Sequence, residues 1–242
     1  AIEIKSSFPW LSATPCACRV LSNILDDIDA EINFAHSVIS DSCKIIKYLH
    51  QIEVREGGNR KWVLSSESRY AGKYFSVLQI SESRKSVADA VSSKEAFDEN
   101  ELNFKALLQR VKQDLFWKQV DRYLAITTPI IELIRVLSEE KIFSHKILQA
   151  FVGLHQTVLS KEIPSSHYFE PIDSTFHILK SIFKRGACKI FHPLYAAAYI
   201  LDPSNLIKNC PKKSFNAMEK VFGISLQDQI KIFVSQHVTT EK

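Results

Sequence analysis

Turn-forming residues are scarce in this sequence, which holds six glycines and eight prolines in 242 residues. An all-β chain needs many tight turns, so this scarcity argues against a sandwich or barrel and for long helices. Long apolar runs are missing as well. The longest, 194–201, has eight residues, far short of the ~20 that cross a bilayer. The N-terminal AIEIKSSFPW has no basic patch followed by an apolar segment, so it does not read as a secretory signal. It also lacks an initiating methionine, which reads as a segment of a longer protein. The five cysteines, Cys16, Cys18, Cys43, Cys188 and Cys210, are odd in number and scattered, a pattern that favours reduced thiols in an intracellular compartment. Closed zinc sites pair ligands two to four residues apart, and the C-x-C of Cys16 and Cys18 does not match that spacing. No metal site is assigned. No GxSxG, glycine-rich phosphate loop or HExxH occurs, so the common enzyme classes they mark have no support.

What the chain does have is an ordinary globular composition, 45% hydrophobic and 24% charged, at a length that can bury a proper core. Its formal charge of +4 is unevenly spread. Residues 1–35 carry two basic and five acidic side chains, whereas 180–220 carry eight basic (Lys180, Lys184, Arg185, Lys189, Lys208, Lys212, Lys213, Lys220) against Asp202 and Glu219. Such an excess either attracts a polyanion or forms a solvated face, and the sequence leaves both open.

Helical periodicity dominates the chain. Val20, Leu21, Ile24, Leu25, Ile28 and Ile32 share one stripe, with Asp26, Asp27, Asp29 and Glu31 largely off it. A second helix runs from Val38 to Ile52 and stops before Gly57-Gly58. After a short extended piece at 62–65, a long helix carries Tyr70, Tyr74, Phe75, Val77 and Val87, with a break near Ser81. Another spans 101–126, and Thr128-Pro129 starts a new one, with proline in the first turn. Further helices are expected at about 140–159, from Asp173 or Ser174 to about Lys184, at 215–222, and from Ser225 onward. Pro193 and Pro203 bound one more, in which Leu194, Ala197, Ala198 and Leu201 recur at three- and four-residue steps. The expected fold is all-α, a single irregular bundle of about nine or ten helices over 1–242 with at most one or two short strands.

The bounded string HPLYAAAYILDP, from His192 and Pro193 to Leu201, Asp202 and Pro203, resembles the PLH-A-AxxLNP or LDP signature of hAT-superfamily transposases. Similar matches occur elsewhere, in the family's order. Cys16, Leu21, Asn23, Leu25, Asp27 and Ile28 fit its C-x-x-H segment and the following LNLxxxDI, with Arg19 standing where the histidine belongs. Arg69-Tyr70 resembles the TRW or TRF motif, with tyrosine replacing the usual Trp or Phe. Phe116-Trp117, Pro129 and Arg135 resemble the run between that motif and the HPL helix.

The resemblance implies an all-helical insertion within an RNase H-like core, whose two catalytic aspartates precede this stretch and whose glutamate follows it. It therefore implies no catalytic residue here. Asp26, Asp27, Asp173, Asp202 and Glu139 read as capping or solvated groups, and His192 as a helix-flanking polar residue. The parent enzyme would use Mg or Mn; no cofactor is expected in this chain. By the same resemblance Tyr70 stacks on a base flipped from the transposon end while Arg69 pairs with phosphate, and Arg60, Lys61 and Lys73 add phosphate contacts. Expected partners are DNA ends and the rest of the transposase core, with a homo-oligomer open and no membrane. Location would be nuclear in a eukaryotic host, otherwise intracellular and soluble. The competing expectation is a transposon-derived interaction or structural domain without DNA activity.

Overall fold

A computed structural model describes residues 14–56, 62, 71–92, 102–139, 144–160, 172–202, 228 and 231–232. Within them the fold is all-α. Its helices are α1 (Ala17–Glu31), α2 (Asn33–Glu56), α3 (Gly72–Glu82), α4 (Arg84–Ser92), α5 (Leu102–Val111), α6 (Asp114–Ser138), α7 (Ile147–Ser160), α8 (Ile172–Ile190) and α9 (Pro193–Leu201), with a 3-10 turn at Ser144–Lys146. No strand occurs among the described residues. Trp62 is buried; the rest of the expected extended piece and the two C-terminal helices lie outside the described residues, apart from helical Asp228, Lys231 and Ile232. No helix among the described residues is long and apolar enough to cross a membrane.

The chain divides into two compact units, Ala1–Ile24 with Glu132–Lys161 and Phe176–Lys242, and Leu25–Ile131 with Glu162–Thr175. In the first, α9 packs on α7 and on the 3-10 turn. In the second, α2 packs on α3 and α4.

The α1 stripe is buried as expected, Val20, Leu21, Ile24, Leu25 and Ile28 lying between 0% and 7% exposed. Fully burying one such side chain is worth roughly 1.5–3 kcal/mol. A single residue, Ile32, separates α1 from α2. Its carbonyl accepts from the N–H of Ala35 at 3.0 Å and of His36 at 3.3 Å, so the break sacrifices few backbone bonds. Helix α2 then runs to Glu56, just short of the glycine pair.

The helix expected at about 140–159 starts at Ile147, after the 3-10 turn, and three further boundaries differ from expectation. The break expected near Ser81 falls at Ser83, whose N–H bonds back to the carbonyls of Gln79 and Ile80. The second concerns 101–138, where the chain breaks at Lys112-Gln113 and then runs through Pro129 inside α6. The Trp117 indole N–H donates to the Val111 carbonyl at 2.9 Å, satisfying an orphan acceptor at the end of α5. Internal proline costs a helix about 3 kcal/mol. Val120, Tyr123, Ile126, Ile130 and Ile134 form one stripe across it, each 6% exposed or less, and their burial outweighs that cost. Third, α8 continues past Lys184 to Ile190 because Ala187 and Ile190 extend its buried face.

In α9 the caps are as expected. Pro193 occupies the first turn, and the backbone at Asp202 is extended. The buried face is rotated, however. Tyr195, Ala196, Ala197 and Tyr199 are buried, while Leu194 and Ala198 are half-buried. Tyrosine can turn inward because its hydroxyl finds a partner: that of Tyr195 donates to the Pro15 carbonyl at 2.7 Å.

Candidate functional site

Of the five expected DNA-contacting residues, Arg60, Lys61, Arg69 and Tyr70 lie outside the described residues. Lys73 is described, at the start of α3. Its ammonium sits 3.2 Å from a carboxylate oxygen of Asp29, whose side chain is 9% exposed. The Tyr123 hydroxyl donates to the other Asp29 oxygen at 3.1 Å. Asp29 thus departs from its expected place on the polar side of α1. Burial raises its pKa, and the charge and hydrogen bond of Lys73 oppose that rise. Burial and the adjacent carboxylate push the Tyr123 phenol far above its ordinary 10.0, which keeps it a donor. Next along α3, the hydroxyls of Tyr74 and Thr128 lie 3.2 Å apart. Lys73 is therefore first a counter-ion for a buried acid, and with its side chain 57% exposed it keeps donors for a phosphate.

A second polar cluster lies in the same unit. Buried Asp41 pairs with Arg110 at 2.9 Å, and the same guanidinium donates to Ser37 at 2.8 Å. Burial pushes the Asp41 carboxyl up, against the pull of Arg110. The guanidinium of Arg122, itself 6% exposed, stacks 4.7 Å over the Phe34 ring. These groups link α2 to α5 and α6.

In the other unit the family-like motif residues at the two ends of the sequence meet through the Tyr195–Pro15 bond. Cys16 and Arg19 are exposed, and the Cys18 sulfur lies 3.8 Å from the Ser138 hydroxyl. His192 caps α9, its Nδ1 accepting from the Leu194 N–H at 3.3 Å. That is the flanking role expected of it. Asp202 lies 3.6 Å from His145. Pro203 lies outside the described residues.

Among the described helices, α8 carries a continuous exposed polar face. His177, Lys180, Ser181, Lys184, Arg185, Cys188 and Lys189 are all exposed, and their spacing of three and four residues puts them on one face. Opposite them Leu179, Ile182, Phe183, Ala187 and Ile190 are at most 1% exposed. At Gly186, a Cβ would lie 2.5 Å from Ile24 Cδ1, so glycine is what lets α1 come this close. The Lys180 ammonium stands 4.5 Å over the Phe176 ring, and the Arg185 guanidinium donates to Ser181 at 3.3 Å.

No family model, curated protein or solved structure matches this chain.

Glu139 pairs with Arg135 and Asp202 with His145. Among the described residues no three His, Cys, Asp or Glu side chains come together as metal ligands. Sequence reading missed the inward turn of Asp29 and the burial of Asp41 and Arg122. One buried carboxylate among four acids of α1 leaves no periodic signal. The α8 face did leave one, in its 3- and 4-residue spacing, although summing charge over 180–220 hid it.

Proposed function

We propose that this chain is a DNA-gripping and scaffolding helical module of the hAT-transposase kind, with cleavage chemistry supplied by carboxylates outside it. The observation that carries the reading is the Tyr195–Pro15 hydrogen bond. It joins the C-x-x-H-like segment to the HPL helix, two family-like motifs separated by 180 positions, as one architecture built around both would require. The all-α fold of the described residues supports it too. Grip would come from Arg69 and Tyr70, by phosphate pairing and base stacking, with Arg60, Lys61 and the remaining donors of Lys73 on neighbouring phosphates. The DNA would be a transposon end, the further partner the transposase core, and the location nuclear in a eukaryotic host.

The test is a titration of the full chain against hairpin and flanked DNA ends that carry 2-aminopurine at the flipped position. Stacking on an aromatic ring contributes about 1–3 kcal/mol per base, so Tyr70→Ala weakens end binding roughly 5- to 150-fold and abolishes the fluorescence change. Arg69→Ala weakens binding without abolishing that change. Tyr70→Ala binding with wild-type affinity sinks the assignment. The engagement of Lys73 by Asp29 favours a second reading, a transposon-derived structural domain. It predicts no end binding at all.

A further inference from the structure

We infer that the exposed face of α8 is a second nucleic-acid contact, a sequence-independent seat for the sugar-phosphate backbone of duplex DNA. It shares only its ligand class with the reading above and uses none of the same residues. The face comprises two adjacent i,i+4 rows, His177–Ser181–Arg185–Lys189 and Lys180–Lys184–Cys188, all exposed. From His177 to Lys189 the helix rises about 18 Å. Four fixed cations lie along that length, and the sequence has no Asp or Glu between Asp173 and Asp202. None is present in 141–161 either, the segment that contains α7. Among the described residues no carboxylate pairs with Lys180, Lys184 or Lys189. Exposed Lys112 and Lys118, by contrast, sit among acids, flanking Asp114 and preceding Asp121.

Charge complementarity therefore calls for a polyanion, and the rest of the helix decides which. An amphipathic helix that lies on a lipid surface needs free apolar side chains to insert. On α8 Leu179, Ile182, Phe183 and Ile190 are buried and Phe176 and Ile178 half-buried, so no large apolar side chain described on it is fully exposed. The exposed face offers cations, Ser181, His177 and Cys188 only. The buried face also fixes the helix in place, so the cations are displayed on a rigid rod of the width that a B-form major groove admits. The sugar-phosphate backbone is the group such a row of cations meets whatever the base sequence, and contacts to it carry no sequence information.

Counterion release gives the test its scale. Each phosphate neutralised by Lys or Arg contributes about −0.9 to the slope of log affinity against log salt. Four contacts contribute about −3.6, a loss of roughly 150-fold between 50 and 200 mM salt. The experiment measures anisotropy of a labelled 20-base-pair duplex of arbitrary sequence with the full chain. Compared with it are Lys180→Gln/Lys184→Gln/Arg185→Gln/Lys189→Gln, the control Lys112→Gln/Lys118→Gln, and Arg69→Ala/Tyr70→Ala. The expected result is a slope shallower by about 3 to 4 in the α8 variant, a near-unchanged slope in the control, and retained duplex binding in Arg69→Ala/Tyr70→Ala. Circular dichroism checks that the α8 variant keeps its helices; single Lys184→Gln, expected to lower the slope by about 1, serves if it does not. An unchanged slope in the α8 variants overturns the inference, as does an equal loss in the control. Preferential binding to phosphatidylserine vesicles over duplex overturns it in favour of a lipid surface. Failure of end-specific stacking with the α8 slope intact would remove the Arg69-Tyr70 assignment alone.

Discussion

Tyr123→Phe is the sharpest perturbation available in this fold, because it deletes one oxygen and leaves the ring in place. Tyr123 is 2% exposed and Asp29 is 7% exposed, and the bond between them is 3.1 Å long. A hydrogen bond to a charged acceptor contributes about 1.5–3 kcal/mol net, a neutral one about 0.5–1.5. When ionised, the Asp29 carboxylate is held by two donors, and Lys73, being largely exposed, is the weaker because water screens it. Losing the phenol leaves the buried charge leaning on that exposed ammonium, so Tyr123→Phe should cost about 1.5–3 kcal/mol in a urea titration. In an Asp29→Asn background the acceptor is neutral, and the same substitution should cost only about 1 kcal/mol. The cycle has a pH signature as well. Burial raises the Asp29 pKa above its ordinary 3.8 in the folded state, so the native chain holds the proton more tightly than the unfolded one. Its linked contribution therefore favours folding at low pH and is lost as pH rises from about 3.8 through the folded value. Asp29→Asn should remove that part of the pH dependence. A cost below about 0.5 kcal/mol for Tyr123→Phe, or an equal cost in both backgrounds, would refute the reasoning.

Other perturbations follow from the same contacts. Gly153 has open space where a Cβ would go, whereas Gly186 has Ile24 at 2.5 Å. Gly153→Ala should gain about 0.5–1 kcal/mol from helix propensity, whereas Gly186→Ala should lose that gain to overpacking unless Ile24→Val removes the obstructing methyl; thermal melts of the three variants check it. The His155 pKa is lowered from 6.5, first by burial and then by Lys180. The folded state thus disfavours the imidazolium, and stability should fall as pH drops below about 6.5, less so in His155→Gln, by urea midpoints at pH 7.5 and 5.5. Tyr195→Phe should cost about 0.5–1.5 kcal/mol by loss of its bond to Pro15. His192→Ala should cost about 0.5–2 kcal/mol through the lost α9 cap.

Periodicity made the helical class and most helix cores legible. The buried stripe of α1 and the bounds of α9 follow from spacing and proline placement alone. Pro129 was misleading because local propensity says stop while a continuous apolar stripe on both sides says continue, and in α6 the stripe prevails. Asp29, Asp41 and Arg122 were invisible for a related reason. A polar side chain turns inward only when a distant partner such as Tyr123, Arg110 or Phe34 meets it, and sequence spacing along one helix carries no record of that partner. The α8 face was half-legible, its charges countable and its shared orientation readable only once the helix was known to be buried along its other side.

Lysine acylation read by mass spectrometry, on the full chain with and without excess duplex DNA, addresses the central claim most directly. If this helical chain grips DNA as described, Lys180, Lys184 and Lys189 are shielded together, Lys61 joins them on end-bearing DNA, and Lys112 and Lys118 label as before. Undiminished labelling of the α8 lysines, or uniform shielding of every lysine, would contradict the account.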